Sequence, residues 1–227
     1  MFINRYQAGQ LLAGKLIAEL EENPTIGKNI EIIVVGLVPG GVLVAEELAR
    51  ALKTELSILV AAKISPFENQ PPLAAVSSTG VFVPNKTMEF CAQDFSKFIE
   101  VEKHRRAEEC RQRERNLLSA AGLKDGVQLK DKLVVLVDEG DSCGLTALAA
   151  IRTIRLKGAK QVVLATPVIS ASTLGLLQPE CDLLVCVGCP KGFAHIAQFY
   201  EEFHKVDDTE VVAALRSVAG THTLSRT

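Results

Sequence analysis

Apolar positions along the chain follow two alternating rhythms. Residues 7–22 place Leu11, Leu12, Leu16, Ile17 and Leu20 at helical spacing, which predicts a helix with one apolar stripe. Residues 30–36 (IEIIVVG) form a short, almost continuous apolar run, the mark of a strand buried on both faces. A helical pattern follows over 42–53 and a strand over 56–62. Further on, strand patterns at 132–138, 161–166 and 182–187 are separated by helical stretches over 145–157 and 170–178. Short buried strands alternating with helices predict an α/β fold: a mostly parallel twisted sheet flanked by helices.

Two segments break the alternation. Residues 63–91 hold Pro66, Pro71, Pro72 and Pro84, a Ser77-Ser78-Thr79-Gly80 turn signal and a strand-like Val81-Phe82-Val83. They predict a loop or hairpin projecting from the sheet, of the kind that often covers a site. Residues 92–119 predict a long charged helix. Its basic residues, Lys97, Lys103, Arg105, Arg106, Arg111, Arg113 and Arg115, interleave with Glu100, Glu102, Glu108, Glu109 and Glu114. Glu102–Arg106 and Glu109–Arg113 have the favourable i,i+4 order. That balance favours a solvated helix with Phe95, Phe98 and Leu117 turned to the core over a nucleic-acid face, although Arg106 remains a candidate for a ligand phosphate. Residues 194–227 predict a C-terminal helical segment, and the whole of 1–227 reads as a single domain.

Composition narrows the function classes. The 227 residues are 48% hydrophobic, enough for one large core, and the formal net charge of −2 gives no global field for nucleic acid or anionic membrane. No apolar run approaches the roughly 20 residues of a membrane span. The N-terminus lacks a signal-peptide apolar region, which points to the cytoplasm. Of six cysteines, Cys181, Cys186 and Cys189 have the C-x4-C-x2-C spacing of some iron–sulfur sites. No fourth cysteine follows, and Cys186 sits inside an apolar run, so no resident metal is expected.

The chemistry gathers at Leu133 to Thr153. An apolar strand ends in Asp138 and Glu139; a small polar turn, Gly140-Asp141-Ser142-Cys143-Gly144, leads into Leu145-Thr146 and a helix. A turn at a helix N-terminus offers unpaired N–H groups and the positive end of the dipole to an anion, and two acids before it suit the hydroxyls of a sugar. A second glycine turn, Gly36-Leu37-Val38-Pro39-Gly40-Gly41, joins strand 30–36 to the next helix. It fits neither a P-loop nor a dinucleotide fingerprint, and by itself it reads more readily as a tight strand–helix turn. In a parallel sheet both turns lie at the carboxyl edge, where ligands bind. Lys63, at the end of strand 56–62, adds a positive charge or is simply a solvated strand-end lysine.

These residues resemble type I phosphoribosyltransferases, and more narrowly a bacterial group of phosphoribosyltransferases of undefined substrate. The similarity runs through Phe2, Arg5, Ala8-Gly9, Gly36-Leu37 with Gly40-Gly41, Lys63, Arg105-Arg106, the 133–146 block, Pro167-Val168, Phe199-Tyr200, Phe203 and Val206-Asp207-Asp208. The resemblance implies transfer of phosphoribose from 5-phosphoribosyl 1-pyrophosphate to a nitrogen nucleophile such as a nucleobase, with Mg2+ accompanying the pyrophosphate. Asp138 and Glu139 would accept from the ribose hydroxyls. Gly140, Ser142, Cys143, Gly144, Leu145 and Thr146 would hold the 5-phosphate, with Asp141 a weak candidate base. Val38, Pro39, Gly40, Gly41 and Lys63 would hold the pyrophosphate. The acceptor would be read by 63–91 and by the stretch around Pro190-Lys191-Gly192-Phe193. Relatives commonly form homodimers.

Three positions depart from the family pattern. The 38–41 turn lacks the usual arginine, which should cost about 1–3 kcal/mol of pyrophosphate binding. Cys143 stands at the usual threonine, and Asp141 adds a negative charge to the phosphate loop. A thiol at a helix N-terminus also raises a redox role for Cys143, against an inert substitution for threonine. The alternative function is a non-catalytic sugar-phosphate sensor or regulator.

Overall fold

The computed structural model describes residues 1–67, 70–88, 94–123, 127–140 and 143–224. Five strands, β1 (Ile32–Leu37), β2 (Leu56–Leu59), β6 (Leu133–Val137), β7 (Gln161–Val168) and β8 (Leu183–Gly188), form a parallel sheet in the order β2-β1-β6-β7-β8. Strands β3 (Ala61–Ile64), β4 (Ala74–Ser77) and β5 (Phe82–Pro84) form a separate antiparallel sheet. The helices are α1 (Arg5–Glu22), α2 (Gly40–Leu52), α3 (Ser96–Ala121), α4 (Leu145–Leu156), α5 (Ala171–Leu177) and α6 (Asp208–Leu224).

The parallel sheet is buried on both faces because its central strands are apolar at nearly every position. Alternation then sorts their side chains. Val34, Leu133, Val135 and Val137 face a layer containing Leu12 and Leu16 of α1, Val44 and Leu48 of α2, and Leu215 of α6. Ile33, Val35, Val134 and Leu136 face Leu148, Ile151 and Ile154 of α4 and Leu177 of α5. Period-two geometry converts each continuous apolar run into two half-cores. The chain leaves β1 through α2 toward β2 and leaves β6 through α4 toward β7. The sheet order therefore reverses between β1 and β6, and a crevice opens at their carboxyl ends.

The strand predicted over 56–62 is two strands. β2 stays in the parallel sheet, the chain bends at Val60, and β3 turns to pair with β4 (Lys63 opposite Ala75). The bend takes the Val60 N–H out of both ladders, and Glu114 Oε2 of α3 accepts from it at 2.9 Å and from Ser78 Oγ at 2.6 Å. The predicted projecting segment thus contains a three-stranded sheet over 61–84. It is packed: Ile64, Ala74 and Val76 meet Ala107 and Phe98 of α3, while Ala75 and Val83 join the α4 side of the main core.

The long charged helix is α3, with Leu117 buried. Its predicted Glu102–Arg106 pair forms at 3.2 Å. Arg113, expected on Glu109, instead meets Asp208 of α6 at 2.6 Å, and Arg105 takes Glu109. A tertiary neighbour displaced the local one. Cys181 and Cys186 pack against the α4 layer, and burial pushes the Cys181 thiol up to about 11. Among the described residues, no helix is long and apolar enough to cross a membrane.

Candidate active site at the carboxyl edge of the sheet

The two glycine turns meet at the crevice between β1 and β6. The strands place Gly36 opposite Val137 at neighbouring ends, so each turn leaves the sheet beside the other. The α2 turn approaches β6 so closely that a Cβ on Gly41 would lie 2.6 Å from the Val137 carbonyl oxygen. A Cβ on Gly40 would overlap the Glu139 carboxylate. Only glycine permits this contact between the two turns. The Val38–Pro39 peptide bond is cis.

A cleft of about 370 Å³ opens there. It is lined by Val38, Pro39 and Gly40 from the first turn, Asp138, Glu139 and Gly140 from the second, Thr146 from α4, Lys63 from β3, and Ala194, His195 and Ile196 from the segment after β8. Most of the residues singled out in the sequence therefore share one cavity. Gly41 lies behind it against β6. Cys143 and Leu145 turn toward a second groove, of about 710 Å³, with Val83 and Leu148. Gly144, at φ +75°, precedes α4, whose first-turn N–H groups have no acceptor inside the helix. Asp141 and Ser142 lie outside the described residues, as do Cys91 and parts of the 63–91 segment. Arg106, the candidate phosphate ligand of α3, bonds to Glu102 and Glu109.

The two acids are held differently. Asp138 is buried, and its Oδ1 accepts from the Glu139 N–H at 2.8 Å. Glu139 is ion-paired with Arg5, a residue only 5% exposed at the start of α1. Arg5 also donates to the His204 carbonyl at 3.0 Å, and its guanidinium lies 4.0 Å from the centre of the Phe203 ring. Tyr200 donates its hydroxyl to the Glu139 carbonyl at 2.6 Å. Burial, with the nearby Glu139 charge, pushes the Tyr200 phenol well above its ordinary value, so it stays a donor. Phe2 fixes this end by pairing with Tyr200: Phe2 N–H donates to the Phe199 carbonyl at 2.8 Å, and Glu201 N–H to the Phe2 carbonyl at 2.9 Å.

Sequence reasoning misses Arg5, Tyr200 and His195 as site residues. Arg5 and Tyr200 are visible there only as positions of family similarity without a role. A charged residue in the first turn of an apolar-striped helix is the one sequence signal for Arg5. His195 carries no signal, because nothing in its neighbourhood says which way the segment after β8 folds.

Sheet order and paired turns define an α/β protein with a crevice, flanked by two acids, at a topological switch point. The chain matches the phosphoribosyl transferase domain over residues 3–181 and belongs to that family. It is 34% identical over 223 residues, 95% of its length, to two Mycobacterium tuberculosis proteins, of strains CDC 1551 and H37Rv, that provisionally carry the name phosphoribosyl transferase. It spans about half (46%) of the length of these relatives. The crystal structure of TT1426 from Thermus thermophilus is similar at 29% identity and a TM-score of 0.73, covering 95% of this chain and 98% of that one.

Proposed function

We propose that the chain transfers phosphoribose from 5-phosphoribosyl 1-pyrophosphate to a nitrogen nucleophile such as a nucleobase, in the cytoplasm and as a homodimer. The observation that carries this reading is the cleft shared by Asp138, Glu139, Thr146, Lys63 and residues 38–40 of the first turn. Its volume suits a sugar phosphate, and its polar lining includes both acids, the Thr146 side chain and a lysine.

In the reaction the acceptor nitrogen forms a bond to C1 of the ribose while the C1–oxygen bond to pyrophosphate breaks, and the pyrophosphate leaves with that electron pair. Asp138 orients the ribose hydroxyls, and its charge steadies the positive charge developing on the ring. The first turn of α4 with Thr146, Ser142 and the backbone around Cys143 receives the 5-phosphate. The 38–41 turn and Lys63 receive the pyrophosphate. Asp141 is the candidate base for the acceptor proton.

A magnesium ion fits this site as a companion of the substrate. Among the described residues, no three His, Cys, Asp or Glu side chains gather into a metal cage, whereas Asp138 offers one carboxylate beside the cleft. One or two carboxylates plus phosphate oxygens is the usual magnesium environment. When bound, the ion neutralises the departing pyrophosphate.

A second reading, a sugar-phosphate sensor without turnover, is favoured by one feature: the 38–41 turn carries no cationic side chain. Calorimetry with 5-phosphoribosyl 1-pyrophosphate and Mg2+ tests both, repeated on Asp138→Asn. Binding that Asp138→Asn weakens, with pyrophosphate released in the presence of some nucleobase, supports the transferase. Binding without release across a nucleobase panel supports the sensor, and no binding removes both.

A further inference from the structure

Among the described residues, Glu139 is one of two acids lining the cleft, and its carboxylate is engaged by Arg5. Oε2, the oxygen paired with Arg5, is also the atom that a Cβ on Gly40 would strike first. One oxygen position therefore touches both a guanidinium and the first residue of α2. The carboxylate lies on the cleft side of that cation: Glu139 lines the cleft, whereas Arg5 is 5% exposed and does not. Arg5 is fixed by the His204 carbonyl and the Phe203 ring, so the cation stays while the acid, on a flexible side chain, is able to move. A buried guanidinium stripped of its anion is strongly unfavourable, so Glu139 leaves only if another anion takes its place.

We propose that Glu139 Oε2 holds the place of a pyrophosphate oxygen, and that Arg5 becomes a pyrophosphate-binding residue when Glu139 turns aside. The inference rests on the phosphoribosyl reading above. It supplies a cation at a turn whose own residues, Val38-Pro39-Gly40-Gly41, bring none. It also couples two events: arrival of the pyrophosphate at Arg5 releases Glu139 toward the ribose hydroxyls. In the free protein the acid occupies the anion's place, and the chain is guarded against phosphate-bearing molecules too weakly bound to displace it.

Inorganic pyrophosphate with Mg2+ is the probe, because it contains no ribose for Glu139 to hold. Calorimetry on the full chain compares the wild type with Glu139→Gln, Arg5→Lys and the double variant Glu139→Gln/Arg5→Met. Glu139→Gln removes the competing charge and should bind pyrophosphate about tenfold more tightly. The double variant should lose that gain, and Arg5→Lys should keep part of the wild-type affinity. Unchanged or weaker binding by Glu139→Gln overturns the proposal, as does a gain that survives in the double variant. Circular dichroism checks that each variant is folded; Glu139→Gln alone decides the matter if the Arg5 variants do not fold. If the wild type binds 5-phosphoribosyl 1-pyrophosphate but Glu139→Gln shows no gain for pyrophosphate, only this inference falls. If the wild type binds neither compound, the phosphoribosyl reading falls with it.

Discussion

The Tyr200 hydroxyl donates to the carbonyl oxygen of Glu139 at 2.6 Å, across 61 positions of sequence. This bond fixes the backbone of the second acid, just beyond the end of β6, from a distant segment. Removing only the hydroxyl, in Tyr200→Phe, leaves that carbonyl without its donor while keeping the ring contacts to Phe2 and Phe203. Urea unfolding should show a loss of about 1–2 kcal/mol. Affinity for 5-phosphoribosyl 1-pyrophosphate should fall in parallel, since the acid pair loses a fixed backbone.

Gly40→Ala should separate folding from binding. A methyl group there overlaps the Glu139 carboxylate, which must abandon its place against α2. The main core does not depend on this contact, so far-ultraviolet circular dichroism should be preserved. Binding of 5-phosphoribosyl 1-pyrophosphate should weaken about tenfold or more, because the methyl fills space that an anion needs. Wild-type affinity would refute the arrangement of the two turns.

Glu114 is a structural acid with a defined task. It accepts from the Val60 N–H and the Ser78 hydroxyl, both in buried residues, where the chain passes from one sheet to the other. Glu114→Ala should destabilise by about 2–4 kcal/mol, and Glu114→Gln, which keeps a carbonyl acceptor, by less than half of that. Equal losses in the two variants would argue against the hydrogen bonds.

Glu47 gives a pH signature. Burial in α2 is the main cause that raises its carboxyl above the ordinary value, and Arg50 only partly opposes it. A raised folded-state value means that the group favours the folded state at acid pH and that this contribution is lost as pH rises through the folded value. Glu47→Gln should therefore be more stable than the wild type at pH 8 in urea unfolding, with the difference shrinking as the pH is lowered into the carboxylate range. A gain that persists at low pH would point to packing, not ionisation.

Thiol labelling reports burial directly. Burial holds the Cys110 and Cys181 thiols up near 11, whereas Cys189 is exposed. Among the described cysteines, iodoacetamide at about pH 8 should modify Cys189 first, Cys181 slowly, and Cys110 not until the protein unfolds. Early modification of Cys110 would place α3 differently against the core.

The parallel sheet is legible in the sequence because its strands are apolar runs and helices separate them. The strand–turn–helix at 133–146 is legible because two acids at a strand end are costly without a ligand or a partner. What escapes comes from pairing between distant segments. The bend at Val60 depends on Glu114, 54 positions away. Arg113 chooses Asp208 over its helical neighbour Glu109 because α6 packs beside α3. Arg5 looks like an ordinary first-turn charge until the fold lays residues 200–204 over it.

That last convergence has a consequence for how the protein matures. The five-stranded sheet uses residues only up to Gly188, so all its strands precede the segment that holds Glu139 in place. Glu139, however, is oriented by Tyr200 and by Arg5, which is itself held by the carbonyl of His204, 199 positions away. Contacts of such separation close late, after the entropy of a very long loop has been overcome. A chain clipped after β8 would keep all five strands but lose both the α6 side of one half-core and the contacts that orient Glu139. Ligand binding would report on the presence of residues 200–204 more sharply than secondary structure does.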